Sequence, residues 1–174
     1  MARAHSRVTP IEPGPGQESV WDYPRPPALV PSTRHVHVTV GDGAAALVIA
    51  ETVGAFRVLE TTHPPSWYLP RADVRPAALI RSRRRSTTCE WKGAATYWDV
   101  AGPGGEILEA AAWSYENPTR RFAPIAGYVS FMPAMVECRI DGERVRPQAG
   151  GFYGGWITDD VVGPFKGEPG TWGW

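Results

Sequence analysis

The fold is decided by residues 35–50, which read HVHVTVGDGAAALVIA. The segment His35–Val40 has valine at every second position, which is the pattern of a strand with one buried face. Two glycines flank Asp42 and accept positive φ angles, and the apolar run Ala44–Ala50 follows them. The stretch therefore predicts a β-hairpin.

Strand-like segments recur along the rest of the chain. The 19 glycines and 18 prolines argue against long helices, because proline lacks an amide donor and glycine has high backbone entropy. Further strands are predicted at 52–60, 96–100, 107–115, 128–132 and 136–140, a tight turn at 141–142 and one helical turn within 70–79. The predicted fold class is mostly β.

The 174 residues suit one domain with an arm at each end. Residues 1–19 are predicted to be disordered because they have little to bury. Residues 20–146 form the predicted β domain, and Val20–Pro24 is predicted to be an arm that docks on this domain or on a partner subunit. The glycine- and tryptophan-rich extension 147–174 either wraps the body or a neighbour, or is mobile.

Charge and composition limit the classes of partner. Basic and acidic residues number 18 each, so no global field draws the protein to nucleic acid or to a membrane surface. No secretory signal and no apolar run of membrane-spanning length is visible, which predicts a cytoplasmic location. The basic cluster Arg81–Arg85 either contacts phosphate or is solvated. Cys89 and Cys138 are expected to be reduced thiols, with a bridge between them as the alternative.

Four segments together resemble the DUF427 family. They read LETTHPPSWYLP (59–70), TTCEWKGAATYW (87–98), AWSYENP (112–118) and IAGYVSF (125–131). The resemblance spans roughly residues 20–146 and implies a compact β-tent (Mss4-like) fold, with two small antiparallel sheets over a cavity. Zinc proteins of that shape carry paired C-x-x-C ligands, which are missing here. No metal and no cofactor is therefore expected, and His35 and His37 have no evident third ligand.

The same segments combine aromatic side chains with three titratable ones. Ligand sites are typically aromatic-lined clefts with a few convergent polar groups. The predicted function is therefore binding of an unknown small molecule, and core packing is the alternative for each aromatic. The candidate ligand-binding residues are Glu60, His63, Tyr68, Trp91, Lys92, Tyr97, Trp98, Trp113, Tyr115 and Tyr128.

Two other functional hypotheses stay open. In an enzyme that catalyses hydrolysis or group transfer, His63 would be the general base and Lys92 an electrostatic stabiliser. In an interaction module, the terminal arms would be exchanged in a homodimer. Both site hypotheses require His63 and Lys92 to converge on one cavity.

Overall fold

The computed structural model describes residues 8–174, and the fold is mostly β, as predicted. The strands are β1 (Glu18–Ser19), β2 (Ala28–Pro31), β3 (Val36–Val40), β4 (Leu47–Thr52), β5 (Phe56–Leu59), β6 (Ser66–Tyr68), β7 (Leu79–Arg81), β8 (Thr88–Cys89), β9 (Gly93–Ala94), β10 (Thr96–Ala101), β11 (Ile107–Ser114), β12 (Val129–Phe131), β13 (Glu137–Ile140), β14 (Glu143–Arg144), β15 (Arg146–Pro147), β16 (Trp156–Ile157) and β17 (Val161–Val162). Short 3₁₀ helices lie at Val20–Asp22, Gly43–Ala45, Arg71–Asp73, Pro76–Ala78 and Arg120–Ile125. No helix in this range is long and apolar enough to cross a membrane.

The strands form several small sheets, where the resemblance implies two. Two sheets have four strands, in the orders β14-β13-β3-β4 and β12-β11-β10-β7, and one has three strands, in the order β2-β5-β6. These sheets are antiparallel, as are the two-stranded pairs β8–β9 and β15–β16. The pair β1–β17 is parallel and joins the two ends of the described chain. The β-tent description stays a prediction.

The hairpin predicted from residues 35–50 is present. Strand β3 buries its three valines and pairs antiparallel with β4. The connection is longer than predicted, because the first alanines of the apolar run lie in the 3₁₀ helix Gly43–Ala45 and not in the strand. The predicted turn at 141–142 also forms. Asp141 and Gly142 join β13 to β14 with φ angles of 49° and 83°, the conformation of a two-residue hairpin turn.

The hydrophobic core has three parts. The largest lies between the two four-stranded sheets and contains Trp156 from the C-terminal extension. A second part gathers Tyr68, Trp113, Tyr115 and Phe122 beside the β8–β9 hairpin. A third part, with Val20 at its centre, fixes the N-terminal arm. The second part of the core positions the candidate site.

The C-terminal extension packs on the body of the domain. Packing on the body or on a neighbour was one prediction for it, and mobility was the other. The Trp156 side chain is fully buried, and its indole N–H donates to the carbonyl of Phe131 at 3.0 Å. The Trp174 ring contacts the ring of Trp21 in the arm, with 5.1 Å between centroids. Of the segment 1–19 predicted to be disordered, residues 1–7 lie outside the described residues, and residues 8–17 form no strand or helix. Its last two residues, Glu18–Ser19, form β1 and pair with β17, so they are ordered. The domain boundaries stay predictions.

Candidate functional site

A cavity of about 450 Å³ lies against the second part of the core. Its lining comes from β5 and β6, the β8–β9 hairpin, the paired strands β10 and β11, and the C-terminal extension. The structure therefore places His63 and Lys92 on one cavity. Eight of the ten candidate residues line it: Glu60, His63, Tyr68, Trp91, Lys92, Tyr97, Trp113 and Tyr115.

Four aromatic side chains, Tyr68, Tyr97, Trp113 and Tyr115, form what we call the strand wall. Tyr97 and Trp113 are direct cross-strand partners on β10 and β11, so both project from one face of the sheet. Tyr115 is two residues beyond Trp113 and continues that face. The Trp113 indole N–H donates to the Tyr68 hydroxyl at 3.1 Å. Burial raises the pKa of Tyr68 and of Tyr115, so both phenols are neutral over the physiological range.

The structure places the other two candidates, Trp98 and Tyr128, away from the cavity lining. Trp98 follows Tyr97 in β10, and successive strand residues point to opposite faces. Its indole N–H donates to Ser114 Oγ at 2.9 Å, and the Arg71 guanidinium stacks 4.3 Å from its ring centroid. The Tyr128 ring packs edge-on against Phe56, with 5.9 Å between centroids.

Lys92 is a buried cation in the turn between β8 and β9. The residue is only 8 % exposed, and the backbone N–H of Thr119 donates to its carbonyl at 3.1 Å. Its Nζ lies 5.6 Å from the ring centroid of Tyr115 and 5.9 Å from that of Phe122. Such cation–π contacts favour the ammonium by about 0.5–2 kcal/mol and hold it beside the two rings.

His63 lies on the cavity lining, in direct contact with the C-terminal extension. Its ring contacts Tyr153 edge-on at 4.8 Å between centroids, and its Nδ1 lies 3.1 Å from Nε2 of Gln148. Burial, with smaller contributions from the charges of Lys166, Arg25 and Lys92, lowers the pKa of His63 to about 4. The imidazole is therefore neutral at physiological pH.

Two backbone groups fix the orientation of the Gln148 side chain, which is 4 % exposed. The Gly155 N–H lies 3.1 Å from one end of the amide, so that end is the oxygen. The Lys166 carbonyl lies 2.6 Å from the other end, so that end is the NH₂ group. This NH₂ group also donates to Nδ1 of His63, which must then be unprotonated. In the neutral ring the proton is on Nε2, and His63 is a hydrogen-bond donor at that atom.

Sequence reasoning missed Gln148, Tyr153 and Lys166 as lining residues. All three belong to the glycine-rich extension, where no local pattern distinguishes them. We define the tail wall as Gln148, Tyr153, Gly154 and Lys166. The alternation within β10 is the one signal that could have removed Trp98 from the candidates.

The remaining polar groups near the cavity have other partners or are solvated. The Glu60 carboxylate pairs with Arg25 at 3.7 Å. Cys89 lines the cavity half-buried, Cys138 is buried elsewhere, and both are free thiols. Among residues 8–174, no group of three or more His, Cys, Asp or Glu side chains is placed to hold a metal ion.

The comparison with protein families gives a match. The family model described as a domain of unknown function (DUF427) matches residues 28–145. No curated protein matches the chain. The matched range contains the strand wall, His63 and Lys92, and it ends before the tail wall.

Proposed function

The chain belongs to the DUF427 family, a family of unknown function, and on that premise we propose that it binds a small molecule in the aromatic-walled cavity. The observation that carries the proposal is that His63 and Lys92 line the same cavity as the strand wall. The Lys92 ammonium has cation–π contacts with Tyr115 and Phe122 but no carboxylate partner among the described residues, so it is available to a ligand.

The size and chemistry of the cavity support the proposal. Its volume of about 450 Å³ lies within the usual range of about 300–1,000 Å³ for small-molecule sites. The rings of Tyr97 and Trp113 offer flat surfaces for stacking, and Lys92 and His63 offer directional contacts. The ligand's apolar part would lie against the rings, and its polar part would face these two side chains.

The enzyme alternative is less well supported. A general base needs an unprotonated nitrogen within reach of the substrate. In His63 the unprotonated nitrogen is Nδ1, which accepts a hydrogen bond from Gln148. The geometry therefore favours His63 as a donor to a ligand, and Lys92 alone does not define a reaction.

The interaction-module alternative can be tested directly. The arm and the extension contact each other within one chain, through Trp21 and Trp174 and through β1 and β17. These contacts do not require a second copy. Light scattering on the full chain distinguishes the alternatives, because a monomer at micromolar concentration contradicts exchange of the arms.

The binding proposal is tested by a ligand screen on the full chain. Aromatic, nucleotide-like and quaternary ammonium compounds are added while the melting temperature and tryptophan fluorescence are recorded. We expect at least one class to raise the melting temperature, since a ligand that binds only the folded state stabilises it. Trp113→Leu should abolish the response. Trp172→Leu is the matched control, because that side chain is 71 % exposed and outside the cavity. A broad library without any response would contradict the proposal.

A further inference from the structure

The charges around the cavity are unbalanced. Three cationic side chains line it, Arg84, Lys92 and Lys166, against the two carboxylates of Glu60 and Glu90. Of the three cations, Lys166 already donates a hydrogen bond from Nζ to Trp174 O at 3.0 Å. Glu60 pairs with Arg25, and Glu90 is exposed. Within the described chain, no carboxylate lies within ion-pairing distance of Lys92. The most buried charge on the cavity is thus a cation without a counter-ion.

His63, which is neutral, also presents a hydrogen-bond donor on the same cavity. The backbone groups of Gly155 and Lys166 orient Gln148, and Gln148 in turn holds Nδ1 of His63 as an acceptor. In residues 8–174, Nε2–H of His63 has no hydrogen-bond partner. Lys92 and His63 therefore both present N–H groups, and a ligand group that satisfies both must be an acceptor.

The cavity mouth extends the positive charge outward. The Arg84 guanidinium carbon lies 4.3 Å from the centroid of the Tyr97 ring, at the edge of the strand wall. Arg84 has no ion pair among the described residues. Its neighbours Arg81, Arg83 and Arg85 are not on the cavity lining, and the Arg81 guanidinium lies over the ring of Trp98, on the other face of β10. A cation at the edge of a cleft raises the local concentration of anions and their rate of entry.

From these observations, and resting on the proposed binding function, we infer that the cavity takes an organic anion. The ligand has a flat, largely apolar body between the rings of the strand wall. Its anionic head, a carboxylate or a phosphate, accepts hydrogen bonds from Lys92 and from Nε2–H of His63. Charge-assisted hydrogen bonds of this kind are stronger than neutral ones, so the anion should be preferred over an uncharged ligand of the same shape.

The test uses ligands that share one ring system and differ in the group attached to it. Naphthoate, naphthamide, naphthyl phosphate and naphthylmethylamine are titrated into the full chain by calorimetry, together with the one-ring set based on benzoate. We expect at least one anion to bind about tenfold or more tightly than the amide of the same ring. Comparing the dissociation constants of the carboxylate and the phosphate identifies which head group fits better.

Two variants connect the preference to the inferred contacts. Lys92→Met keeps a long, unbranched side chain without the charged ammonium and should bring the anion-to-amide ratio close to one. His63→Asn keeps an acceptor for Gln148, removes Nε2–H and should lower the ratio several-fold. Arg144→Gln is the control, because Arg144 is exposed on β14 away from the cavity and should keep the wild-type ratio.

The outcomes separate the two proposals. Equal or tighter binding of the amide or the amine would overturn the anion inference and leave the binding function intact. An anion preference that persists in Lys92→Met would overturn the inferred contact. If no compound of either ring size binds and the broad screen also gives no response, the proposed binding function is contradicted. The anion inference is then contradicted as well.

Discussion

The two walls of the cavity are built in different ways. The strand wall comes from paired strands inside the family-matched range, and its members Tyr68 and Trp113 are 1 % and 9 % exposed. The tail wall comes from the extension beyond that range, where residues 148–155 form no strand and the neighbouring Phe152 is 59 % exposed. The strand wall supplies Tyr115, one of the two rings beside Lys92. The tail wall supplies Gln148, which determines the tautomer of His63.

This difference shows that a segment outside the family match can determine the chemistry of a residue inside it. The strand wall is held by ladder hydrogen bonds and core packing, so it should be the more costly to alter. The tail wall is held by a few specific contacts, such as those of Gln148, so alterations there should change hydrogen bonding more than stability.

The largest effect is expected in the strand wall. Trp113→Ala removes a buried ring and its hydrogen bond to Tyr68, and should lower the free energy of unfolding by about 3–5 kcal/mol. Phe152→Ala beside the tail wall should change it by less than about 0.5 kcal/mol, because the side chain is exposed. Urea unfolding of both variants measures the contrast. Equal losses would contradict the distinction between the walls.

A somewhat smaller effect is expected from pH. The pKa of His63 is lowered from 6.5 to about 4 in the folded protein, so between these values the unfolded chain binds more protons. The free energy of unfolding should then fall by about 3 kcal/mol from this residue as the pH is lowered from 6.5 to 4. His63→Asn should remove that part of the pH dependence. The measurement is urea unfolding at a series of pH values, and parallel curves for wild type and variant would contradict the buried neutral imidazole.

The smallest effect is expected where the two walls touch. A Cβ on Gly154 would lie 2.1 Å from the Trp113 ring, so Gly154→Ala requires one wall to move. The cost should be about 1–3 kcal/mol, with a changed near-ultraviolet signal from Trp113. Gly173→Ala is the matched control, since a Cβ there meets nothing within 4 Å. A neutral Gly154→Ala would mean that the tail wall separates readily from Trp113.

The parts of the fold that were predictable from sequence are those with local signals. Alternating valines identify β3, and Asp141-Gly142 identifies a turn, because both patterns depend on neighbours in the chain. Strand 107–115 was predicted, and its partner 96–100 is close in sequence, so the pairing of Tyr97 with Trp113 is also nearly local. The number of sheets was not predictable in this way, since β1–β17 joins residues that are far apart in sequence.

The candidate site was predictable only in part for the same reason. Aromatic and titratable residues in the four motif segments indicated eight residues that the structure places on the cavity. The role of Gln148 depends on backbone groups of Gly155 and Lys166, and nothing in the local sequence indicates that these groups meet. The tautomer of His63 therefore follows from tertiary structure alone.

The difference in exposure between the two thiols has a practical consequence. Cys89 is half-buried on the cavity lining, whereas Cys138 is 1 % exposed in the main core. A maleimide or disulfide-forming fragment should therefore attach at Cys89 and leave Cys138 unmodified, without any engineered residue. The native chain thus carries its own tethering point, from which fragments can be selected by mass spectrometry according to how well they fit the space beside that sulfur.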